Sequence, residues 1–255
     1  MRCEDTNLTK GIKPNFGRDM KKAIPHILTL GNLVCGMISI RAIFNDEPFY
    51  AVAFVFLAAV LDFFDGFVAR ALGVSGDLGK QLDSLADNVT FGVVPALMFL
   101  SVNGFLQELP ANNIGWMLFG ASLLVAAMAT LRLAIFNIDE TQSAGFRGMP
   151  TPGNTLLVSA LYYAYFEIPD SFLNGLFQNN ILLLIAILFI AIWQVMPIPL
   201  MALKFKSWQV KPNLWRYLFI VFSAVLFFTF FIEAIPIIIL LYLLFSIAQN
   251  TSKAS

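Results

Sequence analysis

A single histidine, His26, leaves no His-rich metal site to consider, and two cysteines, Cys3 and Cys35, give neither a disulfide framework nor a metal-ligand spacing. Charge is scarce as well. Charged residues make up 13% of the chain, and 16 basic residues balance 16 acidic ones, so the excess of positive charge expected of a nucleic-acid binder is absent. No polar stretch long enough for a soluble domain interrupts the chain.

What fills the sequence instead is apolar. Hydrophobic residues reach 58% with 26 phenylalanines, and the mean hydropathy is +0.77, far from the roughly 45–50% apolar usage of soluble domains. A bilayer core about 30 Å thick needs about 20 apolar residues per helix. Runs of that length predict eight spans, at 24–44, 49–73, 82–103, 114–137, 155–172, 181–203, 214–231 and 234–249. The last two are split only by Ile232-Glu233-Ala234-Ile235-Pro236, so seven spans is an alternative reading. The expected fold is an all-α integral membrane bundle of about eight transmembrane helices. A polar segment at 1–22 precedes a core of about six helices at 23–203, two further helices fill 204–249, and 250–255 forms a tail. Both polar ends read as solvated. The 1–22 segment does not resemble a cleavable signal, and 24–44 reads as a retained helix.

The few charges are unevenly placed. Lys10, Lys13, Arg18, Lys21 and Lys22 precede the first span, Arg70 and Lys80 lie between the second and third, and Arg132 and Arg147 flank the fourth connection. Lys204, Lys206, Lys211 and Arg216 follow the sixth span, whereas the alternate connections carry Asp46, Glu47, Glu108, Glu167 and Asp170 without a basic residue. The positive-inside rule therefore puts both termini in the cytoplasm, which an even number of spans satisfies.

Acids inside apolar spans need a reason, because a carboxylate at mid-helix costs about 2.5–3.5 kcal/mol on insertion scales. Here they are concentrated in the second and third spans, as Asp62, Asp65, Asp83 and Asp87. At about 100° per residue, Asp62, Asp65, Gly66 and Ala69 share one helical stripe with Arg70 at its edge. Gly79, Asp83 and Asp87 form a stripe on the next helix. The break between the helices, Gly73-Val74-Ser75-Gly76-Asp77, is short, so the stripes can face a common cavity. Paired carboxylates on facing helices suit hard divalent cations, small residues let a planar base or phosphate approach the backbone, and the guanidinium fork of Arg70 suits phosphate. The alternative for the small residues is helix packing, and for Asp77 and Asp83 a place in the loop or at the helix start.

These residues read D-x2-D-G-x2-A-R-x8-G-x3-D-x3-D, and the pattern resembles the signature of the CDP-alcohol phosphotransferase family at every fixed position. The resemblance implies that Asp62, Asp65 and Asp83 hold divalent metal, Mg²⁺ or Mn²⁺ and two ions in all. Asp87 would add a ligand and act as general base, and Gly66, Ala69, Arg70 and Gly79 would cradle the CDP group. It also implies a homodimer.

Three further stretches resemble the phosphatidylserine synthase branch of that family. They are Ile24-Pro25-His26-Ile27-Leu28-Thr29-Leu30-Gly31-Asn32-Leu33-Val34-Cys35-Gly36, Arg132-Leu133-Ala134-Ile135-Phe136-Asn137 and Phe146-Arg147-Gly148-Met149-Pro150-Thr151-Pro152. His26 stands where the branch has Asn, and Ile135 replaces a second Arg. The branch implies CDP-diacylglycerol and L-serine as substrates, a bacterial inner membrane, and an active site facing the cytoplasm. Arg132, Asn137 and Arg147 become acceptor or lipid-phosphate candidates, with snorkelling to the interface as the other reading of Arg132. Thr29 and Asn32 read as interhelical hydrogen-bonding residues or nucleotide contacts. Glycerol 3-phosphate or an inositol phosphate is the alternative acceptor. An ion-coupled transporter is the alternative class, and it would spread its acids along a pathway rather than cluster them on two helices.

Overall fold

The computed structural model describes residues 16–74, 76–138, 148–197, 200–201 and 210–254, and within them every regular element is helical. In chain order these are α1 (Phe16–Phe44), α2 (Pro48–Ala71), α3 (Asp77–Asp87), α4 (Val94–Val102), α5 (Asn113–Ile138), α6 (Thr151–Glu167), α7 (Asn180–Ile192), α8 (Val210–Phe230) and α9 (Ala234–Ala254). A π-helical segment, Asn88–Val93, joins α3 to α4, so the third expected span is one rod over Asp77–Val102 with a widened turn in its middle.

Local chemistry sets the ends. Proline at the first position of α2 lacks an N–H that the helix start could not use, and the helix stops where Gly73 takes φ +63 after Leu72. Asp77 occupies the first turn of α3, where a negative charge complements the helix dipole. The sixth span is shorter than expected. Its helix ends at Ile192 rather than continuing to 203, and a turn carries the chain to Pro197, whose ring disfavours helix at the residue before it. The helix of the fifth expected span, α6, begins at Thr151, earlier than the expected 155, because Pro152 is tolerated in a first turn, and it ends at Glu167 ahead of Pro169. At the polar ends, α1 starts at Phe16 inside the expected solvated segment and α9 runs on to Ala254 through the expected tail. Hydropathy delimits the lipid-buried part of a helix, whereas backbone hydrogen bonds carry the helix on into water.

The apolar run over Asn213–Gln249, 37 residues long, folds back on itself. Trp215 and Phe219 of α8 pack on Phe245 and Tyr242 of α9, which is the pairing of an antiparallel hairpin. A three-residue turn at Phe231–Glu233 reverses the chain, with Phe231 at φ +50 and the Ser171 hydroxyl bonded to Glu233. The two-helix reading of this run is the one the chain adopts.

The core lies among α1, α2, α4, α5, α6 and α7, where Val55, Phe99, Val125, Tyr162, Ile187 and Trp193 are buried. Large apolar side chains also cover the outside, among them Phe63, Phe67, Met117, Ile185 and Phe228. A surface of that kind is stable only in lipid. The chain is an integral membrane protein.

Candidate active site

One end of the bundle collects the polar residues. The first half of α1, the last turns of α2, all of α3, the end of α5 and the start of α6 meet there. Asp62, Asp83 and Asp87 bring one carboxylate oxygen each within 4.8 Å of one another. Asp65, one turn from Asp62, is buried and lines a neighbouring cavity of about 490 Å³ together with Gly66, Ala69, Arg70, Gly79 and Asp83. The eight signature residues therefore form two adjoining sets, the cluster of Asp62, Asp83 and Asp87 and the cavity wall of Asp65, Gly66, Ala69, Arg70 and Gly79, with Asp83 belonging to both.

The helix α1 orients the acids. Thr29, buried, places its hydroxyl 2.6 Å from Oδ2 of Asp65 and 3.0 Å from the Pro25 carbonyl. Asn32, fully buried, donates from its amide to Oδ1 of Asp87 at 2.9 Å. Both are interhelical bonds, and both partners are site carboxylates. Sequence pattern gave these two residues no role at the acids, although a buried amide and hydroxyl on one side of an apolar helix are a signal that something polar faces them.

The π segment was not legible either, although its cause is in the sequence. Pro95 has no N–H to give to the carbonyl of Phe91, four residues back, and that carbonyl instead accepts from the Thr155 hydroxyl of α6 at 2.9 Å. Such widened turns often occur beside functional sites, and this one begins immediately after Asp87. Gly36 lets α1 approach it closely: a Cβ there would lie 2.3 Å from Oγ1 of Thr90, whose hydroxyl donates to the Asn32 carbonyl.

The donor set fits a divalent cation. Three carboxylates at this spacing repel one another unless a cation sits between them, and among the described residues no Lys or Arg forms an ion pair with them. Oδ1 of Asp83 is buried without a hydrogen-bond partner. Hard oxygen ligands of this type suit Mg²⁺ or Mn²⁺.

The remaining candidates divide. Arg132 is buried, and its Nη1 donates to the Thr151 hydroxyl at 3.2 Å. Asn137 faces α3: its amide donates to Ser84 Oγ at 2.7 Å, and its backbone carbonyl accepts from Lys80 Nζ at 2.6 Å. Arg147 lies outside the described residues. His26 lines the cavity opposite Gly79, where a Cβ would lie 3.5 Å from its Nε2.

Comparison with known proteins agrees with this geometry. Residues 22–248 match the family described as CDP-alcohol phosphatidyltransferase. The CDP-diacylglycerol–serine O-phosphatidyltransferase of Bacillus subtilis (strain 168) is 39% identical over 142 residues, which are 56% of this chain and 76% of that protein. The protein of the same name from Helicobacter pylori (strain 26695) is 29% identical over 227 residues, 88% of this chain and 90% of that protein. With the one from Mycobacterium leprae (strain TN), identity is 38% over 145 residues, 54% of this chain and 46% of that longer protein. Because the match runs from the start of the first span into the last helix, and the signature acids converge as its chemistry requires, this chain belongs to the CDP-alcohol phosphatidyltransferase family.

Proposed function

We propose that the protein transfers the phosphatidyl group of CDP-diacylglycerol to the hydroxyl of L-serine, giving phosphatidylserine and CMP. The observation that carries this reading is the convergence of Asp62, Asp83 and Asp87 beside a cavity walled by Gly66, Ala69, Arg70 and Gly79. The three matched relatives bear the name of that activity.

In this reading Asp62, Asp65, Asp83 and Asp87 hold two divalent ions. When bound, these would offset the charge of the pyrophosphate and of the departing phosphate. Gly66 and Gly79 leave space for the cytidine group, and the Arg70 guanidinium pairs with a phosphate oxygen. Asp87, held by Asn32, takes the proton of the serine hydroxyl as that oxygen attacks the phosphorus bearing the diacylglycerol. The bond from this phosphorus to the bridging oxygen breaks, and CMP leaves with the electron pair. The acyl chains remain in the bilayer against the apolar outer faces. The enzyme acts as a homodimer in a bacterial cytoplasmic membrane, with the acidic end of the bundle and both termini at the cytoplasmic face, as the basic residues Lys21, Lys22, Arg70 and Lys80 near that end favour.

The test is CMP release by the purified full chain with CDP-diacylglycerol and Mg²⁺ or Mn²⁺, offered serine, glycerol 3-phosphate or an inositol phosphate separately. Serine-dependent release that Asp87→Asn abolishes supports the acceptor and the base together. Release with another acceptor alone overturns serine and keeps the family chemistry.

A further inference from the structure

A second cavity, of about 640 Å³, lies at the end of the bundle away from the acids. Its lining comes from three parts of the chain: Phe49 and Phe56 at the start of α2, Tyr163 and Glu167 at the end of α6, and Phe231 and Ile232 in the hairpin turn. On α2, Phe56 and Asp65 are separated by about 14 Å along the helix axis, so this cavity is distinct from the one at the active site. Phe49, Phe56 and Phe231 are exposed on the outer surface, and the cavity therefore opens sideways to lipid. The distance from Phe49 to Phe56 is about 10 Å, roughly two-thirds of the hydrocarbon depth of one leaflet. An acyl chain is the molecule that reaches such a crevice.

Two polar groups share this apolar wall. Tyr163 and Glu167 are four residues apart on α6, which makes them neighbours on one face, about 5–6 Å apart at Cβ. Among the described residues neither side chain has a hydrogen-bond partner, and Glu167 has no ion pair. Glu167 is also the last residue of α6, whose last turn carries no basic residue. The negative end of the helix dipole and the carboxylate charge therefore add, and a cation offsets both. The bordering connections, 45–48, 168–179 and 231–233, contribute Asp46, Glu47, Asp170 and Glu233 and no Lys or Arg. Arg41, at the end of α1, is outside the lining. Glu233 is engaged by the Ser171 hydroxyl, which leaves Glu167 as the carboxylate that faces the cavity without a partner.

We infer that this cavity binds a phospholipid with a primary ammonium head group, drawn from the leaflet opposite the active site, with one acyl chain lying between α2, α6 and the hairpin turn. The ammonium donates to the Glu167 carboxylate, and the Tyr163 hydroxyl donates to the phosphodiester. The order of the two groups fits their depth. In a phospholipid the phosphate lies nearer the hydrocarbon than the amine, and Tyr163 is one turn deeper along α6 than Glu167. A two-carbon link separates the two charges of phosphatidylethanolamine, a spacing that adjacent turns of one helix face match. The methylated amine of phosphatidylcholine has no N–H to donate, and phosphatidylglycerol brings a net negative charge beside Glu167. Because Phe231 and Ile232 form part of the lining, the bound lipid fastens the α8–α9 hairpin to α2 and α6. The inference does not depend on which acceptor is used at the other end of the bundle.

The unfolding temperature of the delipidated full chain is measured in detergent with phosphatidylethanolamine, phosphatidylcholine or phosphatidylglycerol of the same acyl chains, added at equal concentration. Wild type is compared with Glu167→Gln, which removes the charge, Tyr163→Phe, which removes the hydroxyl, and Ala53→Phe, which fills the cavity from its α2 side. The expected result is that phosphatidylethanolamine raises the unfolding temperature of wild type several degrees more than either other lipid does. Glu167→Gln and Ala53→Phe each lose most of that difference, and Tyr163→Phe loses part of it. Glu167→Gln changes an exposed side chain, and it carries the test if Ala53→Phe is not recovered folded. An equal rise with all three lipids overturns the inference and leaves the cavity a crevice for any acyl chain. A larger rise with phosphatidylglycerol overturns it on the sign of the charge. A preference for phosphatidylethanolamine that survives both Glu167→Gln and Ala53→Phe places the lipid elsewhere on the surface and overturns it as well. If no lipid has an effect and Ala53→Phe yields a smaller species on gel filtration, the occupant is a second copy of the chain and the lipid assignment fails.

Discussion

The amide of Asn32 donates to Oδ1 of Asp87 at 2.9 Å, linking the first helix to the acid that follows three others in the signature. Asn32 is fully buried and its own Oδ1 has no partner, so among the described residues its side chain bonds only to Asp87. Replacing it leaves Asp87 free to turn and removes the amide donor that fixes which of its oxygens faces Asp62 and Asp83. Asn32→Ala is expected to lower kcat about 10- to 100-fold, the usual effect of losing a partner that orients a ligand or base. The measurement is CMP release per folded molecule, with folding checked by gel filtration in detergent. Unchanged kcat would mean that Asp87 needs no support from α1.

Metal dependence has a readout that does not require turnover. A cation bound among Asp62, Asp83 and Asp87 stabilises the folded chain by mass action, about 2.7 kcal/mol when present at 100 times its dissociation constant. Chelation is expected to lower the unfolding temperature and abolish CMP release, and Mg²⁺ or Mn²⁺ to restore both. Asp83→Asn removes a carboxylate charge from the cluster, and with it most of the metal-induced rise in unfolding temperature. A rise of the same size in the variant would place the stabilising cation elsewhere.

Gly66 gives a contrasting expectation, because what it touches can move. A Cβ there would lie 3.2 Å from Nη1 of Arg70, the far end of an exposed, flexible side chain. Gly66→Ala therefore leaves stability within about 0.5 kcal/mol of wild type. It displaces the guanidinium from the cavity wall and raises the KM for CDP-diacylglycerol several-fold. An unfolding temperature that drops with KM unchanged would show the glycine to be a packing residue.

The acids, their two stripes and the short break between them were legible because a carboxylate in an apolar run is an anomaly with a helical period, and period alone decides which side chains converge. The same reasoning read Asp83 as a site residue rather than a loop acid. It had no means of reading the bonds from Thr29 and Asn32, since one helix does not state which neighbour its polar face will meet. Helix ends near prolines moved by several residues, at Thr151 and Ile192, because hydropathy sees lipid and not backbone geometry. The hairpin of α8 and α9 was one of two open readings. It was decided by tertiary packing of Phe219 and Tyr242, which no local signal encodes.

Gly36 is the close-packing counterpart of Gly66. Any Cβ at this position would meet Oγ1 of Thr90 at 2.3 Å and its Cα at 3.1 Å, and the backbone of the π segment cannot swing aside as a side chain can. Gly36→Ala is expected to cost about 1–3 kcal/mol as overpacking, and to reduce activity because Thr90 is bonded to the carbonyl of Asn32. Combining it with Thr90→Ala removes the nearest atom and recovers part of the loss. A double-mutant cycle on unfolding temperature measures that coupling, and strict additivity would argue against the contact.

The widened turn after Asp87 depends on one hydroxyl. Pro95 cannot supply the N–H that the Phe91 carbonyl would receive in a regular helix, and Thr155, fully buried, supplies a donor instead at 2.9 Å. The isostere Thr155→Val keeps the shape and removes the hydroxyl that lies within reach of the Phe91 and Thr151 carbonyls, at a cost of about 1–3 kcal/mol. Thr155→Ser keeps the hydroxyl and loses only a methyl group, so it is expected to unfold closer to wild type than the valine variant does. The π segment directly continues the helix that carries Asp83 and Asp87, so relaxing it toward a regular helix rotates these acids relative to Asp62 on α2. Thr155→Val should therefore also weaken the metal-induced rise in unfolding temperature, which Thr155→Ser preserves. If valine lowers stability but leaves the metal response intact, the hydroxyl serves the packing of α6 and the geometry of the acids is set by α1 alone.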